Sequence, residues 1–389
     1  MIFVNQSIGD LSNDILEDFI KNNEPVIVFT GRNIETQLCS DNIKYIFGIS
    51  YNKKSFFLRF YTWLLFSIQT LIFLLINKKQ HKDIFLVSNP PFIFFFTPFF
   101  KNHNLYLLVY DLYPDILKIK FKSDPFYLIA LWTNLNKHIF RCSKIIFTIG
   151  ESMKIAISKY TEPHKIHIIN NWSSLDDTIK LDKILYQKYL EKYNYLLQKT
   201  IFVYSGNMGE THDFSGIQSL IKNYSSRQDV CFLFIGSGAK KSNLEYFKIN
   251  NHLDNMFFLN RLETSEFNFV MNLCHFGIVA LDESMANYSV PSKTFSYLGY
   301  KLPLLNFSTQ TSEVYTLIEK YQVGINFNIN NFIDGKIELD NFIENKIAYN
   351  ELKNKTFYIS QNLFSKSNAE LYLKIIRSYS ISKTIKLKG

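Results

Sequence analysis

IFVYSGNMG at residues 201–209 and VCFLFIGSG at 230–238 decide the architecture of this chain. Each is an unbroken apolar run of strand length that stops on glycine and gives way to polar, helix-compatible sequence. A strand without polar alternation is buried on both faces, the condition of a parallel sheet covered by helices. MFFL at 256–259, FGIVAL at 276–281 and LPLLN at 302–306 repeat the unit toward the C-terminus. Toward the N-terminus, MIFVN, PVIVFTG (25–31), DIFLVS (83–88), LYLLVYD (105–111) and KIIFTIG (144–150) do the same. The pattern predicts an α/β chain with two Rossmann-like, doubly wound domains. It pauses only at 173–199, which is polar and lacks an apolar strand. The expected organisation is therefore a first domain over 1–172, a linker over 173–199 and a second domain over 200–350. Residues 351–389 carry no strand signal and are expected to form a helical tail packing back on the first domain.

Composition agrees with that division. At 389 residues the chain exceeds one ordinary core, and 47% hydrophobic against 20% charged residues gives ample material for two. Cys39, Cys142, Cys231 and Cys274 lie far apart without paired spacing, which argues against a disulfide framework or a zinc site and for a reducing cytosol. The start reads as a first buried strand rather than a secretory signal. The net charge is +9, and residues 1–172 hold 19 Lys plus Arg against 13 Asp plus Glu. A basic first half suits an anionic partner such as a lipid headgroup or a diphosphate. The cations are scattered among hydrophobic strands rather than clustered beside polar aromatics, which argues against nucleic acid.

SFFLRFYTWLLFSIQTLIFLLI, residues 55–76, approaches the length that spans a bilayer. Ser55, Arg59, Thr62 and Gln69 nevertheless fall on one narrow helical stripe, and Lys53, Lys54, Lys78, Lys79 and Lys82 flank both ends. A spanning helix would put the next strand on the wrong side of the membrane, so the expectation is a long helix covering the sheet. The same helix can lie in the membrane interface with its lysines toward headgroups.

Three loops carry chemistry. Gly206-Asn207-Met208-Gly209 follows a strand and precedes a helix, so backbone N–H groups and a helix start can hold a phosphate. An ordinary strand-to-helix turn has the same appearance. Gly236-Ser237-Gly238 ends the next strand at the same sheet edge, where open α/β sheets bind ligands. Ser289-Val290-Pro291-Ser292-Lys293-Thr294 offers a third helix start with hydroxyls and a lysine, the fixed charge a departing diphosphate requires.

Taken in order, YSGNMG, FLFIGSG and SVPSKTFSYLGYKLPLL, with SNPP at 88–91 and YDLYPD at 110–115, resemble the family 4 glycosyltransferases, especially those building capsule and O-antigen repeat units. The resemblance runs from about Phe85 to Gly324. It implies a GT-B fold, with an acceptor domain, a nucleotide-sugar domain and a cleft between them. By position it implies that Gly206 to Gly209 face the donor diphosphate, that Gly236 and Gly238 lie near the nucleotide, and that Leu262 flanks the base. Lys293 would neutralise the leaving phosphates, with Pro291, Ser292 and Thr294 beside it. Asp111 falls where the family puts an acceptor-side polar residue that orients or deprotonates the acceptor hydroxyl; an Asp turning the chain before Pro114 is the plainer alternative. Two glutamates that many relatives carry are replaced by Tyr288 and Ser296, the latter still able to bond a ribose hydroxyl. Two phosphate-facing cations are replaced by Asn207 and His212, so Lys293 and the helix starts carry more of the charge.

The family implies retention of anomeric configuration. No carboxylate pair has nucleophile spacing, so the expectation is a same-face displacement in which the departing phosphate helps take the acceptor proton. Neither an Asp-x-Asp motif nor a His/Cys cluster calls for a metal or other cofactor. The expected partners are a nucleotide-sugar, a UDP-sugar first, a lipid-linked (polyprenyl diphosphate) glycan acceptor, and the anionic inner face of the cytoplasmic membrane, where the protein would be peripheral. A sugar-nucleotide epimerase of the same fold and a non-catalytic glycan-assembly partner are the alternatives.

Overall fold

The computed structural model describes residues 1–32, 37–52, 55–116, 126–173, 182–285, 290–327 and 332–386. The chain divides into two compact units, Met1–Ser174 with Lys366–Gly389, and Leu175–Ser365. Lys53, Lys54, Tyr288 and Ser289 lie outside the described residues.

The first unit is built on seven parallel strands: β1 (Ile2–Val4), β2 (Val26–Gly31), β3 (Ile43–Gly48), β4 (Asp83–Val87), β5 (Asn104–Val109), β6 (Ile145–Thr148) and β7 (Ile166–Ile168), in the order β3-β2-β1-β4-β5-β6-β7. The helices are α1 (Asp10–Lys21), α2 (Phe56–Asn77), α3 (Phe126–Cys142) and α4 (Glu151–Ile157), with a 3₁₀ segment at Pro91–Phe100. Strand order reverses between β1 and β4, the switch point at which such sheets open a ligand crevice. Aromatic rings line one face of the sheet: Phe3 of β1 stacks on Phe85 of the adjacent β4 at 5.0 Å, and Phe85 reaches Phe147 of β6, two strands away, at 5.8 Å between ring centres.

The second unit contains α5 (Lys183–Lys192), β8 (Thr200–Ser205), α6 (Ser215–Asn223), β9 (Val230–Ile235), α7 (Lys241–Asn250), β10 (Met256–Leu259), α8 (Thr264–Leu273), β11 (Phe276–Ala280), α9 (Lys293–Gly299), β12 (Leu304–Phe307), α10 (Glu313–Tyr321), β13 (Gly324–Asn326), α11 (Phe332–Glu344) and α12 (Lys346–Leu363). Its parallel sheet runs β10-β9-β8-β11-β12-β13, with the switch point between β8 and β11. Phe202, Phe232, Phe276 and Tyr224 fill its core. The last helix, α13 (Glu370–Lys386), belongs to the first unit.

Two boundaries differ from the sequence expectation. The stretch expected as a linker holds α5, capped by Asp182, whose carboxylate accepts from the Leu185 amide at 2.8 Å. Tyr189 and Tyr193 pack their rings against Phe269 of α8, so this polar-looking helix is part of the second unit. Position 351 falls inside α12, which rests on α9 of the second unit; the return to the first unit begins at Lys366. There Lys366 pairs with Asp14 at 2.7 Å and Glu17 at 3.0 Å, while Tyr372, Leu373 and Ile376 enter the first core. Helical sequence without strands shows no sign of which core it joins.

α2 covers β2 as a sheet-packing helix. Phe66 and Phe73 meet Phe29 at 5.1 and 4.7 Å. The polar stripe is spent on local and sheet-end hydrogen bonds, with only Thr62 buried: Ser55 caps the helix by accepting from the Leu58 amide, the Gln6 side chain donates to the Thr62 carbonyl at 2.9 Å, and Gln69 accepts from the Ile49 amide at 2.8 Å. The exposed side of the helix is largely apolar, with Phe57 83%, Tyr61 55%, Ile72 53% and Ile76 74% exposed. The 3₁₀ segment and α3 extend it, where Phe99, Tyr127 and Leu131 are exposed. By length and composition Phe57–Asn77 could cross a membrane, and a third of it is buried against the protein.

Candidate functional site

In the second unit the two glycine loops lock together at the C-terminal ends of β8 and β9. The Gly206 amide donates to the Ile235 carbonyl at 2.9 Å and the Met208 amide to the Ser237 carbonyl at 2.8 Å. Both Gly236 and Gly238 have positive φ, and a methyl group at either would meet the backbone of Gly206 at 2.2 Å or Met208 at 2.5 Å. Only glycine permits this approach. The expectation that residues 206–209 turn their amides to a phosphate is thereby corrected at Gly206 and Met208, whose amides are consumed by carbonyls; the Gly236 amide likewise donates to the Leu259 carbonyl. The Met208 side chain is fully buried among Tyr204, Phe214 and Phe234 and is core. Asn207 is exposed and remains on the ligand edge, with Gly209 beside its side chain.

What the loops frame is a cation. α9 begins at Lys293, and Tyr297, one turn on, sits on the same helix face. The Tyr297 hydroxyl accepts from the Ser205 amide at 2.7 Å, and Gly277 of β11 leaves room for its ring. That contact fixes α9 against the switch point. Lys293 Nζ consequently lies 3.4 Å from the centre of the Tyr204 ring, and a methyl group on Gly206 would be 3.9 Å from it. Its ammonium is buried with no hydrogen-bond partner, although part of the side chain is exposed. Burial pulls its pKa down to about 7. A cation–π contact offsets part of the desolvation, but three donor positions remain unused.

Two residues lie near this cation, and one of them adds charge. His212 is pushed down to about 4 by burial, then by the charges of Lys293 and Lys240, and is neutral at physiological pH. Lys240 Nζ donates to the His212 carbonyl at 2.7 Å. Sequence reasoning missed Lys240 and Tyr297. The first had a signal, since it lies two residues beyond Gly238; Tyr297 had none, because its partner is 92 residues away.

The remaining donor-side candidates are spread. Pro291 and Ser292 start α9, and the Thr294 amide donates to the Pro291 carbonyl at 3.0 Å. Thr294 is fully buried with its hydroxyl unpartnered, so it faces the core rather than a ligand. Ser296 and Leu262 are half-buried; Leu262 follows β10, two strands from β8. A cavity of about 540 Å³ lined by Glu319, Asn326, Glu338 and Lys355 lies at the edge strand β13, away from the loops. Among the described residues no group of three or more His, Cys, Asp or Glu is arranged to hold a metal ion.

In the first unit, Asp111 is exposed just beyond β5, where the Ser88 hydroxyl accepts from the Tyr110 and Asp111 amides at 2.9 and 3.4 Å. Burial first, then the Asp111 charge, raises the pKa values of Tyr51 and Tyr113, which Arg59 opposes. Asp111 therefore shares its surroundings with an arginine and two tyrosines that the sequence had not brought together.

These two sheets and their switch points define the GT-B architecture. WaaG, a glycosyltransferase involved in lipopolysaccharide biosynthesis, aligns over 97% of this chain and 99% of its own with a TM-score of 0.63 at 13% identity. HepE of Anabaena, in complex with UDP-glucose, aligns over 97% of this chain and 98% of its own with a TM-score of 0.68 at 12% identity. In sequence, the probable glycosyltransferase WbjE of Pseudomonas aeruginosa is 24% identical over 269 residues, 65% of this chain. The match spans 64% of that relative's length. No family model matches the chain. The resemblance to GT-B glycosyltransferases that the motifs carry thus recurs in a relative and in the fold.

Proposed function

We propose that this chain is a retaining glycosyltransferase that moves a sugar from a nucleotide-sugar, a UDP-sugar first, to a lipid-linked polyprenyl diphosphate glycan in surface polysaccharide synthesis. The single observation that carries the reading is Lys293, a buried ammonium without a hydrogen-bond partner, held at the switch point between two interlocked glycine loops. A buried charge of this kind costs stability unless an anion completes it. A donor diphosphate is such an anion, and HepE, which shares the fold, is solved with UDP-glucose.

In this reading Lys293, with Lys240 near it, meets charge as it develops on the leaving diphosphate, so stabilisation grows toward the transition state. The departing phosphate takes the acceptor proton while Asp111 orients the acceptor hydroxyl, and no step is assigned to a metal. The apolar face of α2 and α3 supports a peripheral seat on the inner face of the cytoplasmic membrane. Each aromatic it buries in lipid contributes about 2 kcal/mol or more. Incubation with a panel of nucleotide-sugars and a membrane extract tests the whole reading: transfer to lipid supports it, free epimerised sugar makes the chain an epimerase, and neither makes it a non-catalytic partner.

A further inference from the structure

Two N–H donors on one side of α2 are buried and have no acceptor: Arg59 Nε and Trp63 Nε1. They are four residues apart and so neighbours on one helix face. Both lie near the same two tyrosines. Tyr51 stacks on Trp63 at 6.1 Å and 9°, and Tyr113 meets Trp63 edge-on at 6.0 Å, while the Arg59 charge acts on both tyrosines. Beyond Tyr113, Trp132 stacks at 5.9 Å and 16°. Buried donors without acceptors are expensive and uncommon in a packed domain. Four residues apart on one helix face, they call for an oxygen-rich ligand, since each N–H needs an oxygen, and the guanidinium favours one that is charged.

The other side of the same helix supplies the second half of the ligand. Phe57, Phe60, Tyr61 and Leu64 flank Arg59 and Trp63 in sequence and point outward, exposed. A single helix thus presents an anion-binding face and an apolar face one turn apart. A free sugar phosphate would use only the first, and a neutral lipid only the second. An apolar chain ending in a phosphate or diphosphate uses both.

We infer that Arg59 and Trp63 hold the phosphate that joins the acceptor glycan to its lipid, with Tyr51, Tyr113 and Trp132 forming the shelf on which the first sugar rests. This rests on the glycosyltransferase reading above and names the acceptor side of it. Asp111, beside the same tyrosines, stands at the sugar end of that shelf. Arg59 and Trp63 are binding residues in this assignment; no bond is made or broken at them.

The chain has three tryptophans, Trp63, Trp132 and Trp172, and two lie on the shelf, so intrinsic fluorescence reports occupancy. The full chain is titrated with farnesyl diphosphate, farnesol and inorganic diphosphate, and separately with UDP-glucose by calorimetry. Farnesyl diphosphate should change the emission saturably, with farnesol and inorganic diphosphate each at least about tenfold weaker. Arg59→Gln should weaken farnesyl diphosphate about tenfold or more, Arg59→Lys less, and leave UDP-glucose affinity unchanged. Equal binding of farnesol would reduce the site to an apolar patch and overturn the inference, a result that needs no variant to fold. Equal binding of inorganic diphosphate would remove the lipid from it, and an unaffected Arg59→Gln would remove the arginine. UDP-glucose binding without farnesyl diphosphate binding defeats this inference alone. Farnesyl diphosphate binding with no binding of any member of the nucleotide-sugar panel defeats the glycosyltransferase reading and leaves the anion site standing.

Discussion

Lys293 should make donor binding take up a proton. Burial leaves its ammonium with a pKa of about 7 in the empty protein, and a diphosphate against it raises that value well above the working range. If only the charged form binds, apparent affinity for UDP-glucose is constant below pH 7 and falls about tenfold from pH 6 to pH 8, or about 1.4 kcal/mol. At pH 8 binding should absorb about 0.9 proton, and at pH 6 about 0.1. His212, held near 4, is neutral throughout this range and does not contribute. Calorimetry in two buffers of different ionisation enthalpy measures the uptake directly, and the UDP-glucose diphosphate does not itself titrate there. The same lysine is a burden to the empty fold. Its folded pKa lies below its unfolded one, so the unfolded chain binds more protons between about 7 and 10.5, and stability rises with pH across that window. Lys293→Met should therefore stabilise the ligand-free protein by about 1–3 kcal/mol at pH 6 to 7, with the gain fading toward pH 10. Donor affinity that does not change between pH 6 and 8, with no proton uptake, would refute the argument.

Lys293→Ala should lower turnover at saturating donor by two or more orders of magnitude in a folded protein, the scale of losing a preorganised charge; a steady-state assay with the active donor checks it. Asp111→Asn should damage transfer while leaving nucleotide affinity intact, and a collapse of nucleotide affinity would assign Asp111 to the fold or the donor site instead. Gly238→Ala should lower the melting temperature and expression, because its methyl meets the Met208 backbone at 2.5 Å and its φ is positive. Replacing the outward Phe57, Tyr61 and Ile72 by Ser should abolish flotation with anionic vesicles without lowering thermal stability, since these side chains are exposed; persistence of flotation would move the membrane contact elsewhere.

The strands were legible where continuous apolar runs stop at a turn, and ten of the thirteen parallel strands answer to such runs; β3, β7 and β13, short or lying at sheet edges, carried no such run. Lys293 was legible as a motif residue, but its position over Tyr204 was not, because it is set by the Tyr297 contact to Ser205, a pairing between distant segments. Met208 was misread for the opposite reason: flanked by glycines it looked like a ligand loop, yet its amide and side chain are both taken by the fold. The spacing of Ser55, Arg59, Thr62 and Gln69 revealed a stripe without revealing its direction. Its partners, Gln6 and Ile49, are ends of strands, and only the sheet order brings them beneath α2. Likewise the polar helices α5 and α12 carried no mark of the unit they complete.

Tyr372 of α13 packs against Phe147 at 4.8 Å and Phe85 at 6.1 Å, inside a core whose members outside the tail all belong to the first 172 residues. The second unit is thus an insertion within the first, and the order of synthesis differs from the order of completion. A chain growing from its N-terminus lays down the first sheet, then makes and can close the second unit, and only afterwards delivers the helix that seals the first. Until then Phe85, Phe147 and Trp172 lack a wall, and the nascent first unit presents aromatic surface to its surroundings. A stop between Ser365 and Tyr372 would spare the second unit and unseal the one at the opposite end of the sequence.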